Sequence, residues 1–183
     1  MPTLRRALSP AGFLLAAACF LLPFLGVHFD TPTQRGRAGW NGADLVVGGE
    51  ASESLRIIWY TENGALGSEE TTIERFYGAE GAQRFLPRRF LHSQALAIIA
   101  ALMVLAGLSS AILAGARVQA TVAALAGFAG AASLALAEAR ALAFTGPYTA
   151  PEYGFWLAFA LLAALGCANA IHTLRLRRAA HAS

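Results

Sequence analysis

The sequence predicts an all-α membrane protein, a four-transmembrane-helix bundle with a small α+β extracytoplasmic loop domain between the first and second helices. Three observations predict it. Four apolar stretches, Ala7 to Val27, Phe90 to Ala116, Val118 to Ala137 and Tyr153 to Leu174, each approach or exceed the ~20 residues that a helix needs to cross a hydrocarbon core of roughly 30 Å. Hydrophobic residues make up 56% of the 183 and charged residues only 14%, against roughly 25% in an average soluble domain. Almost every charge lies between or outside the apolar stretches. We therefore expect helices at about 8–27, 90–115, 118–142 and 153–174 in a single membrane domain over residues 1–183, with 28–89 as an extracytoplasmic insertion.

The first stretch follows Arg5 and Arg6. Ala16-Ala17-Ala18-Cys19 resembles a lipoprotein cleavage box, but Leu is missing at the third residue before Cys19 and the apolar run continues through Phe20, Leu21, Leu22, Phe24 and Leu25. A signal-peptide core spans about 7 to 15 residues, so an uncleaved first span is expected. Cys19 and Cys167 both fall inside apolar spans, where they read as small packing or lipid-facing residues and not as a disulfide.

The segment 28–89 exceeds the roughly 12 to 15 residues of a simple connector and should carry structure of its own. Asp44 to Val47 is a short strand candidate, ended by Gly48 and Gly49. Leu55 to Thr61 alternates Leu55, Ile57 and Trp59 against Arg56, Ile58 and Tyr60, which suits a strand between a packed and a wet face. Asn63-Gly64 supplies a tight turn. Ser68 is placed to cap a helix with Glu69 and Glu70 in its first turn and Ile73, Phe76 and Tyr77 on one face. Pro87 marks the start of the second span. Trp40, Trp59, Tyr60, Phe76 and Tyr77 are the candidate interaction residues of this segment, and Tyr153 and Trp156 are interfacial anchors of the fourth span.

Small residues recur every four positions in three spans: Ala106, Ser110 and Ala114; Ala123, Gly127, Ala131, Ala135 and Ala139; Ala160, Ala164 and Ala168. Such stripes let helix backbones approach closely, with van der Waals contact holding them together. The third span has the longest series, and its partner is either a neighbour within the chain or a second protein.

Arg5, Arg6, Arg117, Arg175, Arg177 and Arg178 flank the spans on one side, and no acid shares that side. The positive-inside bias then puts both termini in the cytoplasm of a bacterial cytoplasmic (inner) membrane protein with multiple passes. The seven arginines of the first external loop run against the bias, but a loop of about 60 residues largely escapes it. The net charge of +3 comes wholly from arginine, scattered or at span ends, which argues against a nucleic-acid partner.

The candidate polar cluster is His28, Asp30, His92, Glu138 and Arg140, all expected near the outer interface. Two imidazoles and a carboxylate are metal-ligand types, but no further close-spaced ligand motif appears, so no metal and no cofactor are expected. Haem is excluded by the placement of His172 at the end opposite His92. No phosphate-binding glycine loop, nucleophile elbow or mid-span acid occurs, which weighs against an enzyme and a pump.

Leu22-Pro23-Phe24-Leu25-Gly26-Val27, Asp30-Thr31-Pro32 and Gly39-Trp40-Asn41-Gly42-Ala43-Asp44-Leu45-Val46-Val47-Gly48 resemble a pattern in uncharacterised actinobacterial four-span membrane proteins with a long first external loop. The resemblance covers Leu22 to Gly48 and implies no activity; where those proteins often carry a Cys before Asp-x-Pro, this chain has Phe29. A claudin-like pattern is excluded, since the loop lacks paired cysteines and a Gly-Leu-Trp run. The function expected is that of an accessory or assembly protein, working in the lipid bilayer through contacts with other membrane proteins or with itself. A small transporter component and an outer-leaflet lipid-acting enzyme are the alternatives.

Overall fold

The computed structural model describes residues 2–48, 52–60, 66–72, 75, 91–113, 115–145 and 149–181. Helix α1 (Pro2–Cys19) leads into strands β1 (Pro23–Thr31) and β2 (Gln34–Asn41), a short helix α2 (Gly42–Val47), and strands β3 (Ser52–Tyr60) and β4 (Leu66–Thr71). Helix α3 (Leu91–Ser109) ends in a 3₁₀ turn at Ser110–Ile112; α4 (Ala116–Thr145), β5 (Thr149–Pro151) and α5 (Tyr153–His181) complete the order.

Three helical segments, Gln94–Ile112, Ala116–Arg140 and Tyr153–Ala180, are long and apolar enough to cross a membrane. Among the described side chains of α1, Ser9–Cys19 is a further apolar helical segment. The bundle is packed with large side chains out and small ones in. Leu14, Leu15, Ile98, Ile99, Leu102, Leu105, Leu125, Phe128, Leu136, Leu157 and Ile171 are exposed, while Ala16, Ala100, Ala123, Ala126, Ala131 and Ala158 are buried around Phe13, Val104, Leu134 and Leu162. Water would penalise that arrangement; a lipid phase accepts it.

The third-span stripe faces a neighbour within the chain. Gly127 meets the backbone of Leu162 and Gly166 on α5 so closely that a Cβ there would lie 2.6 Å from the Gly166 nitrogen. Ala135 and Ala139 move progressively out of this contact toward the surface. The fourth-span residues Ala160, Ala164 and Ala168 are exposed, because α5 turns Leu162 and Gly166 toward α4 instead. Gly107 of α3 accommodates the Phe13 ring of α1. Asn169 of α5 donates to Ser9 Oγ of α1 at 3.1 Å and to the Leu165 carbonyl at 2.8 Å, tying the first helix to the last.

The first helix ends well before residue 27. Three successive i→i−3 bonds, Phe20 N–H to Ala17, Leu21 to Ala18 and Leu22 to Cys19, tighten the chain after Cys19. Pro23 then removes a donor and disfavours helix at the residue before it, so the apolar run Pro23–Val27 emerges as strand. Apolar composition was a good guide to burial here and a poor one to secondary structure: Phe24, Leu25 and Val27 are all buried.

One five-stranded antiparallel sheet, in the order β4-β3-β2-β1-β5, sits at the end of the bundle where α1 and α4 end and α3 and α5 begin. Its strands come from two separate connectors, since β5 belongs to the short link between α4 and α5 and pairs with β1 at Leu25–Val27. The expected strand at Asp44–Val47 is instead the helix α2. The Asn41 side chain accepts from the Asp44 N–H at 2.7 Å, the Asp44 carboxylate accepts from the Asn41 N–H at 3.3 Å, and Gly48 closes the helix at φ 77°. The expected helix start at Ser68 is strand β4, paired along its length with β3. The strand expected over Leu55 to Thr61 is present as β3, whereas Asn63-Gly64, Ile73, Phe76, Tyr77 and Pro87 lie outside the described residues. Phe20, Phe24 and Phe155, with ring centroids 5.0 and 6.4 Å apart, carry the bundle core up to the sheet.

Candidate functional site

Strand alternation divides the sheet into two faces. Leu25, Val27, Ala38, Trp40 and Leu55 lie on one and are buried. His28, Arg35, Arg37, Arg56 and Glu70 lie on the other and are exposed. Across the strands the register sets Asp30 opposite Arg35, Arg35 opposite Arg56 and Arg56 opposite Glu70, an acid-base-base-acid row over four strands. Arg56 and Glu70 form an ion pair in that row.

The neighbouring row holds the most specific constellation. His28 on β1 faces Arg37 on β2, and Glu152, between β5 and α5, reaches both. Its Oε1 lies 3.0 Å from His28 Nε2 and accepts from Arg37 Nη2 at 3.1 Å. The Glu152 side chain is 17% exposed, while those of His28 and Arg37 are about half exposed at 49% and 53%. Gly26 makes the cluster possible, because a Cβ at that position would overlap both the Glu152 carboxylate and the His28 ring. The Glu152 N–H also donates to the Phe24 carbonyl at 2.8 Å, so this residue fastens the α4–α5 connector to the sheet by backbone and by side chain. The half-exposed Arg37–Glu152 ion pair contributes about 1 kcal/mol or less, so the cluster specifies where the connector docks more than it stabilises the fold.

Of the five residues expected to cluster, His28 is in this group and, among those with described side chains, Glu138 and Arg140 are not. Asp30 follows it by two on the same strand, and His92 lies in the first turn of α3; the side chains of both are outside the described residues. Arg140 is exposed. Glu138 is 7% exposed, and its Oε1 has no hydrogen-bond partner among the described residues. Antiparallel packing fixes its level: Gly130 meets both Met103 of α3 and Leu162 of α5, so about two turns further along α4 Glu138 comes level with the first turns of α3 and α5. Trp40, expected at an interaction surface, is 6% exposed and belongs to the buried face of the sheet. Trp59 and Tyr60 are in β3, with side chains outside the described residues.

Among the described residues no three His, Cys, Asp or Glu side chains gather as a metal site. Sequence reasoning missed Glu152 and Arg37 as partners of His28. Long-range pairing of β1 with β5 brings them together, and a three-residue strand ending in Pro151 has no periodic signal.

The length and apolarity of α3, α4 and α5 give this chain the architecture of an integral membrane protein. Comparison with protein-family models, with curated proteins and with solved structures finds no match to the chain.

Proposed function

We propose that the chain is a four-span protein of the bacterial cytoplasmic membrane, α1 included, that holds its sheet outside the membrane as a contact platform and serves as an accessory or assembly subunit for other membrane proteins. The observation that carries this is the stitching of one sheet from two connectors at the same end of the bundle, with its polar face exposed. A platform tied into the bundle at β1, at β5 and through Gln94 Nε2 on the Val46 carbonyl is held in a fixed orientation over the helices. Fixed orientation lowers the cost of ordering on association. Support for α1 as a span comes from its contacts at Phe13, Ser9 and Gly12 with α3 and α5. After Arg5 and Arg6 the remaining helix from Ala7 to Cys19 is about 20 Å long, roughly two thirds of the hydrocarbon thickness.

The test is crosslinking of the full chain in native membranes from photoreactive residues at Arg56 and Ser68, on the exposed face. Discrete adducts with another membrane protein are expected, and recovery of monomer alone overturns the reading. An impermeant thiol reagent should label a cysteine at Ser68 but not one at Ala180 in intact cells. The reverse pattern overturns the orientation.

A transport role is favoured by one feature, the buried Glu138 with its unpartnered oxygen among the described residues. Replacing Glu138 and Arg140 together with Ala separates the two roles. It leaves crosslinked partners unchanged if the chain is an accessory and abolishes uptake if it is a transporter.

A further inference from the structure

We infer that the end of the bundle opposite the sheet is a binding surface for the phosphates of anionic phospholipids. This goes beyond the partner platform, since it concerns the other end of every helix. The registers of the helix pairs bring six arginines to one level. On α4, Arg117 precedes Gly127 by ten residues, and on the antiparallel α5 ten residues beyond Gly166 lies Leu176, so Arg117 stands beside Arg175, Arg177 and Arg178. On α1, Ser9 is bonded to Asn169, which brings Arg5 and Arg6 opposite the turn of α5 just before Arg175. Arg117, Arg175, Arg177 and Arg178 are exposed.

The depth is that of headgroups. Starting from the exposed anchors Tyr153 and Trp156, the ~20 residues that cross the hydrocarbon end near Thr173, so the arginines that follow emerge among phosphates. Among the described residues no Asp or Glu lies at this end. Neither α1 nor α4 has an acid in its first turn, and both place arginines beside their own positive N-terminal ends, where a cation is locally disfavoured. The C-terminal ends of α3 and α5 lie at this same end and offset those two dipoles, so the net positive potential is carried by the arginines, the exposed Arg117, Arg175, Arg177 and Arg178 together with the Arg5 and Arg6 positions of α1. Phosphate diesters in the adjoining leaflet supply the missing negative charge, and the guanidinium fork suits their oxygens.

Arginines retained only to orient the chain during insertion would show no headgroup preference once the protein is in place, and this separates the two roles. The full chain is reconstituted in nanodiscs of phosphatidylcholine alone or with phosphatidylglycerol added, and thermal unfolding and native mass spectrometry are recorded. We expect a higher Tm with phosphatidylglycerol and retention of that lipid over phosphatidylcholine by on the order of tenfold. In the quadruple variant R117Q, R175Q, R177Q and R178Q most of the preference is lost, with the Tm in phosphatidylcholine unchanged. Where that variant fails to insert, wild-type protein at about 0.5 M NaCl serves instead, since screening should remove most of the preference. Equal Tm in both lipids, a preference that survives substitution or salt, or the same stabilisation from inorganic phosphate in phosphatidylcholine discs overturns the inference.

Discussion

Replacing Gly127 with Ala tests whether the small-residue seam of α4 holds the bundle together. The added Cβ lies 2.6 Å from the Gly166 nitrogen, 2.7 Å from the Leu162 oxygen and 2.8 Å from the Gly166 Cα. Ordinary heavy-atom contact is about 3.5–4.0 Å, so α4 and α5 must part by about 1 Å. All three obstacles are backbone atoms, and no rotamer change relieves them. Overpacking of this kind costs about 1–3 kcal/mol. At roughly 2–4 °C per kcal/mol for a chain of this size, the Tm falls by about 2–12 °C. The assay follows a thiol-reactive dye in a Cys167→Ser background, where only the buried Cys19 remains to report unfolding. Gly130→Ala is the internal control, because its Cβ meets the Leu162 Cδ1 at 3.2 Å and the Met103 Cβ at 3.4 Å, tolerable contacts with side chains. If Gly127→Ala melts with the parent, or no lower than Gly130→Ala, the backbone contact between α4 and α5 is not what holds them.

Gly26→Val puts a side chain where the Glu152 carboxylate and the His28 ring now meet; it should release β5 and speed amide exchange at Thr149, Ala150 and Glu152, and unchanged exchange would show that the cluster does not dock the connector. Asn41→Ala removes the reciprocal cap of α2 at a cost of about 0.5–2 kcal/mol, read as faster exchange over Gly42–Val47 with helices α3 to α5 unaffected. Glu138→Gln keeps the shape and a buried polar oxygen but removes the charge, whose desolvation is the costlier part of burying a carboxylate; the Tm should rise, and a fall would reveal a bound partner for the carboxylate.

The three long helices α3 to α5 were legible because their signal is cumulative: ~20 apolar residues in sequence have few other uses, and in these stretches no single position decides the outcome. The sheet was less legible because each of its elements turns on a few residues read against their surroundings. Asp44 to Val47 has strand composition, yet Asn41 and Asp44 stand at the spacing of a capping box, and that local closure overrides propensity. Ser68-Glu69-Glu70 has the composition of a helix start, but pairing with Leu55–Tyr60 holds it extended. Leu22 to Val27 reads as membrane helix until Pro23 is weighed against the residues before it. Of the candidate site, His28 was legible as a polar residue at a span end. Its partner Glu152 was not, because the contact is made 124 residues away in sequence through an edge strand of three residues.

That edge strand links the two halves of the molecule in a definite order. β5 finds its place beside β1 when α4 and α5 stand antiparallel, since Thr149 to Pro151 is the link between their ends. The position of β1, in turn, is set by the exit of α1 at Cys19 and by Phe20 and Phe24, which pack on Phe155 at the start of α5. The sheet is therefore completed only as the bundle closes. A partner that binds the exposed face of β1 and β2 would favour the closed arrangement of α1, α4 and α5, and by linkage a loosened Gly127 seam would weaken that partner. Gly127→Ala should then reduce crosslinking from Arg56 even though the two positions share no contact. Gly130→Ala, with its smaller disturbance of the same helix, should leave crosslinking near the parent level; equal yields from both variants would show that the sheet and the bundle act independently.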